Sequence, residues 1–432
     1  MQEIKIGIIG YGTVGTGVAK ILSRKSSLLS EKLKTRLILK TICDLDVRRK
    51  RNFMPKGVLF TRNVDKVLDD EQIQIVVELI GGINPAKEYI IRALKNKKFV
   101  VTANKALLAE AGPELMRLAR KCGVDIYFEA SVGAAIPVIK AIRDGLISNN
   151  VENIFGIING TSNYILSEMT QNRCDFKSAL RQARIHGFAE RNFKLDTSGI
   201  DSAHKLVILS RLCFGQGIKL SDVYVEGINE IKLHDIQYAD EFGYCIKLLA
   251  IAKIAGKDLQ IRVHPTLLPK KHLLSNVNGV FNAIFITADL AGEMILYGQG
   301  AGQMPAASAV VSDLADISKR LAKVEWVSSQ TFAPSQNRYR RISPIHKIKS
   351  RYYIRFMAIY KPGALSLISK ILGKSNISIC SVLQKGRHQG QAVPIIMMTH
   401  EAREKELRQA LMRIDKLPII RKKTVALRVE SV

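Results

Sequence analysis

Residues 4–15 constrain the fold more than any other stretch. IKIGII (4–9) is a short apolar run that reads as a buried strand. GYGTVG (10–15) follows it, and VAKIL then continues at helical spacing. Strand, glycine turn and helix in that order open a dinucleotide-binding βαβ unit. Gly10 permits the tight turn, Gly12 lets the backbone approach a pyrophosphate at the helix N-terminus, and Gly15 allows close helix–strand packing. Thr13 and Val14, inside the turn, join the three glycines as cofactor-binding candidates.

The alternation continues through the first third of the chain. RLILKTI (36–42) reads as a strand ending at Cys43-Asp44, and an acid there suits an adenosine ribose. Arg48, Arg49, Lys50 and Arg51 follow directly and suit a 2′-phosphate, so the residues leave NAD and NADP both open. IQIVVELI (73–80) has the continuous apolar character of a central parallel strand, closed by Gly81-Gly82. A helix at about 85–96 and the strand FVVTA (99–103) place Asn104-Lys105 at a strand C-terminus, where open α/β sheets hold their ligands. A helix over 113–121 and a strand over 124–130 lead into SVGAAIPVI (131–139). Carbonyls of that loop beside Glu129 offer oxygen ligands to a hard monovalent cation; a plain tight turn is the simpler reading of the same residues.

From about residue 150 the texture changes. NIFGIINGTSNYIL (153–166) reads as strand, polar loop and helix, with Asn159, Gly160, Thr161, Ser162 and Asn163 at the helix N-terminus. GFAERNFKLDTSGIDSAHK (187–205) gathers Glu190, Asp196, Asp201 and Lys205 around a helix expected over 199–213, capped by Ser198; Asp201 and Lys205 stand four apart on it. An exposed ion pair capping an ordinary helix is the plain alternative. Strand-like runs at 223–232, 259–265 and 277–287 predict a mixed sheet, and GQGAGQMPAASAVVSDLADI (298–317) a small-residue turn and long helix, with Gly298, Gly300 and Gly302 where backbone could either pack tightly or meet a cofactor. Residues 328–350 read as a basic linker. The order after it, strand 351–359, helix 364–373, strands 377–383 and 393–399, helix 401–413 and strand 423–430, is a βαββαβ sandwich.

Composition narrows the function class. The formal net charge is +28, but the basic residues fall in short scattered clusters without interleaved aromatics, so a field attracting anionic metabolites is expected and nucleic acid is not. No apolar run is long enough to cross a bilayer and no leader pattern precedes the first strand, so no membrane partner is expected. The six widely spaced cysteines have neither metal nor redox spacing, which fits reduced thiols in the cytoplasm.

Taken together, IGIIGYGTVGTGV, VVELIGGINPAKEYIIRAL, FVVTANKALLA, FEASVGAAIPVI, GIINGTSNYIL, LDTSGIDSAHKL and GQGAGQMPAASAVVSDL resemble homoserine dehydrogenases over nearly the whole chain. YKPGALSLISKILGKSNISICSVLQK and VPIIMMTHEA resemble an ACT domain, and no kinase segment precedes the glycine turn, so the resemblance is to the monofunctional form. It implies an α/β fold in three parts: a Rossmann NAD(P)-binding domain (1–148), a mixed α/β catalytic and dimerisation domain (149–330) and an ACT regulatory domain (351–432). It implies interconversion of L-homoserine and L-aspartate 4-semialdehyde with NAD or NADP, in threonine and methionine biosynthesis. Lys205 matches the acid/base lysine, Lys105 the second lysine beside the nicotinamide, Glu190 the carboxylate on the substrate ammonium, and Asp196 and Asp201 the acids around the reacting end. Gly160 and Thr161 match the cofactor–substrate junction, Gly302 a cofactor contact, and Glu129, Val132, Ala134 and Ile136 a sodium site. A homo-oligomer, dimer or tetramer, and an amino-acid effector at the ACT domain are implied as well.

The sequence departs from the family at four places. Arg191-Asn192-Phe193 replaces the usual Ala-Asp-Pro, Ala135 a common glycine, Cys43 a common arginine, and Tyr360 an Asp near the effector pocket. Cys43 with Asp44 leads to the expectation that NADH works as well as NADPH; Tyr360 leads to weak or absent threonine inhibition. The competing readings are another semialdehyde or sugar dehydrogenase, and an inactive ACT-containing amino-acid sensor; the presence of both lysines and all three acids argues against the second.

Overall fold

The computed structural model describes residues 1–48, 51–189, 193–322, 341–385 and 391–430. They form two compact units, one of Met1–Glu152, His204–Leu220 and Asn282–Arg338, the other of Asn153–Ala203, Ser221–Phe281 and Tyr339–Val432.

The first unit is built on a six-stranded sheet. Its strands are β1 (Gln2–Ile9), β2 (Thr35–Cys43), β3 (Leu59–Thr61), β4 (Ile73–Glu78), β5 (Phe99–Thr102) and β6 (Ile126–Tyr127), in the order β3-β2-β1-β4-β5-β6. All neighbouring pairs are parallel, and this is the doubly wound order of dinucleotide-binding folds. Ile4, Ile6 and Ile8 of β1 are fully buried, as a central strand covered on both faces requires. The long helix Gln303–Ala322 lies against Thr13–Arg24. A Cβ at Gly17 would fall 2.8 Å from Ala307 Cβ, so the bare glycine sets how close the two helices come.

Two elements expected in this unit take different bounds. The helix expected over 113–121 runs from Lys105 to Cys122, because Asn104 caps it by accepting the Leu107 N–H at 3.2 Å, and Pro113 sits in its interior. The strand expected over 124–130 shrinks to Ile126–Tyr127, since Glu129–Ser131 closes into a 3₁₀ turn.

The second unit carries a mixed sheet in the order Val151–Ile157, Tyr244–Ala255, Asp258–Pro269, Ile420–Val429, Lys349–Ile359, Ala392–Thr399, Ile379–Gln384. Tyr244–Ala255 has no counterpart in the sequence reading, yet it pairs along the full length of Asp258–Pro269. The run 223–232 supplies only the short strand Tyr224–Val225, and the helix Leu233–Glu241 begins where Asp235 accepts the Lys232 N–H at 3.0 Å. Residues 349–429 do form βαββαβ, around a core of Tyr352, Ile354, Phe356, Ile368, Leu372, Leu407 and Ile414. Its last strand also pairs with Asp258–Pro269, through Thr266↔Arg428 and Leu267↔Val429, so one sheet runs through this unit.

Buried ion pairs lock that sheet. Arg428, 1% exposed, donates to Glu226 at 2.8 Å and to Glu404 at 2.6 Å. Burial raises the Glu404 carboxyl, but the Arg428 and Arg408 guanidiniums outweigh it and hold the group below its ordinary range. Arg262 meets Glu430 at 2.8 Å, and Arg355 meets the fully buried Asp235 at 2.6 Å, with the Tyr353 hydroxyl donating to the same carboxylate at 3.1 Å. Among the described residues no helix is long and apolar enough to cross a membrane.

Candidate active site

The glycine turn makes a cradle for a dinucleotide. Gly10, at φ +98, bonds its N–H to Cys43 O at 2.8 Å, and a Cβ at Gly15 would meet Gly10 O at 2.3 Å. Gly12 differs: a Cβ there would meet nothing within 4 Å, so its backbone faces open space at the N-terminus of Thr13–Arg24. Beside it lies a pocket of about 240 Å³ lined by Tyr11, Gly12, Thr13, Thr16, Arg51, Asn52 and Gln303. A helix N-terminus with bare backbone and room beside it fits a pyrophosphate. Val14 follows Thr13 in the first helical turn.

At the end of β2, Asp44 accepts the Tyr11 N–H at 2.6 Å and pairs with Arg51 at 2.9 Å. Arg51 in turn donates to Tyr11 O at 3.0 Å and lies over the Tyr11 ring. Of the basic run, Arg51 therefore lines the pocket itself; Arg49 and Lys50 lie outside the described residues. Gly302, at φ +127, starts the Gln303–Ala322 helix, and Gln303 donates to Thr13 O at 3.1 Å. That bond joins two motifs nearly three hundred residues apart, and no spacing in the sequence singles out Gln303.

Lys105 is the first residue of its helix, and the turn before it is fixed from within the sheet. Glu78, fully buried at the end of β4, accepts the Ile80 N–H at 2.9 Å and the Thr102 hydroxyl at 2.6 Å. Thr102 accepts the Asn104 N–H at 3.0 Å, and the Asn104 amide donates to Gly82 O at 2.6 Å. Burial raises the Glu78 carboxyl, opposed by these donors. Sequence reading passed over Glu78; the signal was an acid closing a wholly apolar strand.

In the second unit one amide gathers two acids. Asn159 caps the helix Gly160–Gln171 by accepting the Ser162 N–H at 2.8 Å, and its Nδ2 donates to Asp196 at 2.8 Å and Asp201 at 2.9 Å. The Thr161 hydroxyl donates to Phe188 O at 2.7 Å. A Cβ at Gly160 would lie 2.8 Å from Val280 O, so the loop and the 277–281 turn meet backbone to backbone. The Ser198 hydroxyl donates back to Leu195 O, and Gly199 at φ +86 turns the chain into the helix Ile200–Phe214. Asp201 is 6% exposed; Lys205, one turn later along the same helix and part of the first unit, is 7% exposed. Burial this deep excludes the exposed-ion-pair alternative. Glu190, with Arg191 and Asn192, lies outside the described residues.

The loop after β6 is tightly closed. Glu129 accepts the Ile139 N–H at 2.8 Å and the Lys140 N–H at 3.0 Å, and its own N–H goes to Asp313 at 2.9 Å. Burial, then the Glu129 charge, pushes the Asp313 carboxyl up to about 8. Ala134 takes φ +45, and Val132, Ala134 and Ile136 are buried. Among the described residues no three His, Cys, Asp or Glu side chains cluster to hold a metal.

Residues 10–129 match the family model for the homoserine dehydrogenase NAD-binding domain, and residues 137–315 the model for homoserine dehydrogenase. A homoserine dehydrogenase of Neisseria gonorrhoeae is 41% identical over 434 residues, covering 100% of this chain and 99% of that one. A solved homoserine dehydrogenase from Thiobacillus denitrificans superposes with a TM-score of 0.93 at 40% identity, covering 100% and 99% of the two chains. A hyperthermophilic archaeal homoserine dehydrogenase in complex with NADPH superposes with a TM-score of 0.62 at 26% identity, over 72% of this chain and 97% of that one.

Proposed function

This chain belongs to the homoserine dehydrogenase family and is an NAD(P)-dependent oxidoreductase, and from that premise we propose how its residues divide the work. The substrate pair is L-homoserine and L-aspartate 4-semialdehyde. Lys205 is the acid/base group, placing its ammonium on the aldehyde oxygen, stabilising the charge that grows there and supplying the proton. Lys105 adds a second positive charge at the same oxygen. Asp196 and Asp201 orient the reacting end, Glu190 holds the substrate ammonium, and Gly160 and Thr161 shape the loop where substrate and cofactor meet. The nicotinamide, when bound, supplies the hydride. The observation that carries this reading is the Asn159 amide holding Asp196 and Asp201 together, with buried Lys205 one turn beyond Asp201 in one helix.

Gly10, Gly12, Thr13, Val14, Gly15 and Gly302 would hold the cofactor, with Asp44 and Arg51 to receive its adenosine end. Because Asp44 and Arg51 neutralise each other, either a ribose diol or a 2′-phosphate can exchange one partner, and both NADH and NADPH are accepted. The carbonyls around Val132, Ala134 and Ile136 suit sodium in chemistry, although the Glu129 carboxylate is already engaged by two backbone N–H groups. Residues 351–432 act as an ACT domain in a homo-oligomer; Tyr360, in place of a carboxylate, leaves threonine a weak effector.

The test is steady-state kinetics of the purified protein with L-aspartate 4-semialdehyde and either NADPH or NADH. Loss of the reduced-nicotinamide absorbance with both cofactors is expected. A preference for NADPH beyond about a hundredfold, some 2.7 kcal/mol, would overturn the dual-cofactor reading. Consumption of neither, with turnover of another aldehyde, would overturn the substrate.

A further inference from the structure

Arg211 has no place in the roles above, yet it is 6% exposed and lies within the first unit among backbone oxygens. Its Nε donates to Ile218 O at 2.8 Å, Nη1 to Leu108 O at 2.7 Å and Nη2 to Ala109 O at 2.7 Å. The last two oxygens belong to the opening turns of the helix that starts at Lys105, while Arg211 stands on the helix that carries Lys205.

The sequence of the first helix explains why a guanidinium is needed there. In a regular helix Ala109 O would accept the N–H of residue 113, but residue 113 is proline and has none. Ala109 O is therefore a helix-interior carbonyl without its usual donor, and Nη2 supplies one. The preceding residue is Gly112; a Cβ there would already stand 3.2 Å from Nη1, so a larger side chain would crowd the fork. Proline frees the acceptor, glycine clears the approach, and a charged planar fork bridges two adjacent carbonyls. An ammonium would place one point charge where the fork places two directed donors.

We propose that Arg211, received by Gly112-Pro113, is a positioning residue that fixes the Lys205 helix against the Lys105 helix and so sets the geometry of the two lysines. Arg211 lies six residues beyond Lys205, about 9 Å along the helix axis, and its acceptors lie three and four residues beyond Lys105. The bridge is thus within two helical turns of each lysine and touches neither substrate nor cofactor. This inference rests on the proposed roles of Lys105 and Lys205.

The experiment compares Arg211→Lys, Arg211→Ala, Pro113→Ala, Lys105→Ala and Lys205→Ala in the full chain. The readouts are kcat, KM for NADPH, the pH profile of kcat, and Tm. Arg211→Lys is expected to lower kcat at least tenfold, to change KM for NADPH less than about threefold, and to displace the pH profile. Guanidinium at millimolar concentration is expected to restore part of the turnover of Arg211→Ala, and Pro113→Ala to raise Tm more in that background than in the wild type, because it returns a donor to Ala109 O. If Arg211→Lys lowers Tm while kcat and its pH profile stay at wild-type values, the positioning role is overturned and the residue is purely structural. Should Arg211→Lys not fold, Arg211→Ala with and without guanidinium decides: kcat and a pH profile at wild-type values without guanidinium, or guanidinium that restores Tm but no turnover, would overturn the inference. Unchanged turnover in both lysine variants would overturn the lysine roles and the bridge together; impaired lysine variants beside a fully active Arg211→Lys would overturn the bridge alone.

Discussion

Asn159 shows how one side chain sets the chemistry of several others. Its Nδ2 is shared by Asp196 and Asp201, and its Oδ1 closes the turn before Thr161. Asn159→Leu removes the amide donor from both carboxylates and the cap from the helix. A hydrogen bond to a charged group is worth about 1.5–3 kcal/mol, so a tenfold to hundredfold fall in kcat/KM is expected, measured against a Tm that confirms folding. Lys247 gives a pH test. Its ammonium, 3% exposed, donates to Val277 O at 2.6 Å and Asn278 Oδ1 at 2.9 Å, and burial pushes it down to about 8 from 10.5. Below pH 8 folded and unfolded chains both hold this proton, and the burial penalty is present in full. Between pH 8 and 10.5 the folded chain releases it first, so stability rises with pH across that window, by roughly 3 kcal/mol in total. Thermal denaturation of the wild type and Lys247→Met from pH 7 to 10 should show the rise in the wild type alone; parallel curves would contradict it. That Asp201 and Lys205 share one helix face was legible because i, i+4 spacing is a sequence property. Glu78, Gln303 and Arg211 were not, since each acts through a backbone group that only the fold brings near.

Secondary structure was most legible where covalent geometry speaks locally. The glycine turn and the apolar runs of β1 and β4 left little choice, and the βαββαβ order of the last 80-odd residues followed from alternating periods. The start of the Lys105 helix was missed because Pro113 reads as a helix beginning; Arg211 supplies the donor that lets the helix run through it. Tyr244–Ala255 was missed because an apolar run in a two-sided sheet has no alternation to recognise. The helix Leu233–Glu241 is tied to Lys349–Ile359 by Asp235 and Arg355. Asp235→Ala strands a buried guanidinium and should lower stability by about 3–5 kcal/mol, read from chemical denaturation, while a loss under 1 kcal/mol would mean that water reaches Arg355.

At the scale of the molecule, Ile420–Val429 completes a sheet with Asp258–Pro269, and its Arg428 neutralises Glu226. Cutting the chain near residue 328 would remove the ion-pair partners of Glu226 and Arg262, so regulation is better tested by point substitution than by truncation. Threonine titrations of the wild type and Tyr360→Asp should show stronger inhibition in the variant; strong inhibition of the wild type would contradict the weak-effector reading. The net charge of +28 should draw in the anionic cofactor, so kcat/KM for NADPH is expected to fall several-fold between low and 0.3 M salt. The most direct measurement is turnover of L-aspartate 4-semialdehyde by Lys205→Ala beside NADPH binding to the same variant. The expected result is a kcat lower by roughly 10²–10⁴ with the dissociation constant for NADPH nearly unchanged. Wild-type turnover in that variant would contradict the assignment of Lys205 as the acid/base group.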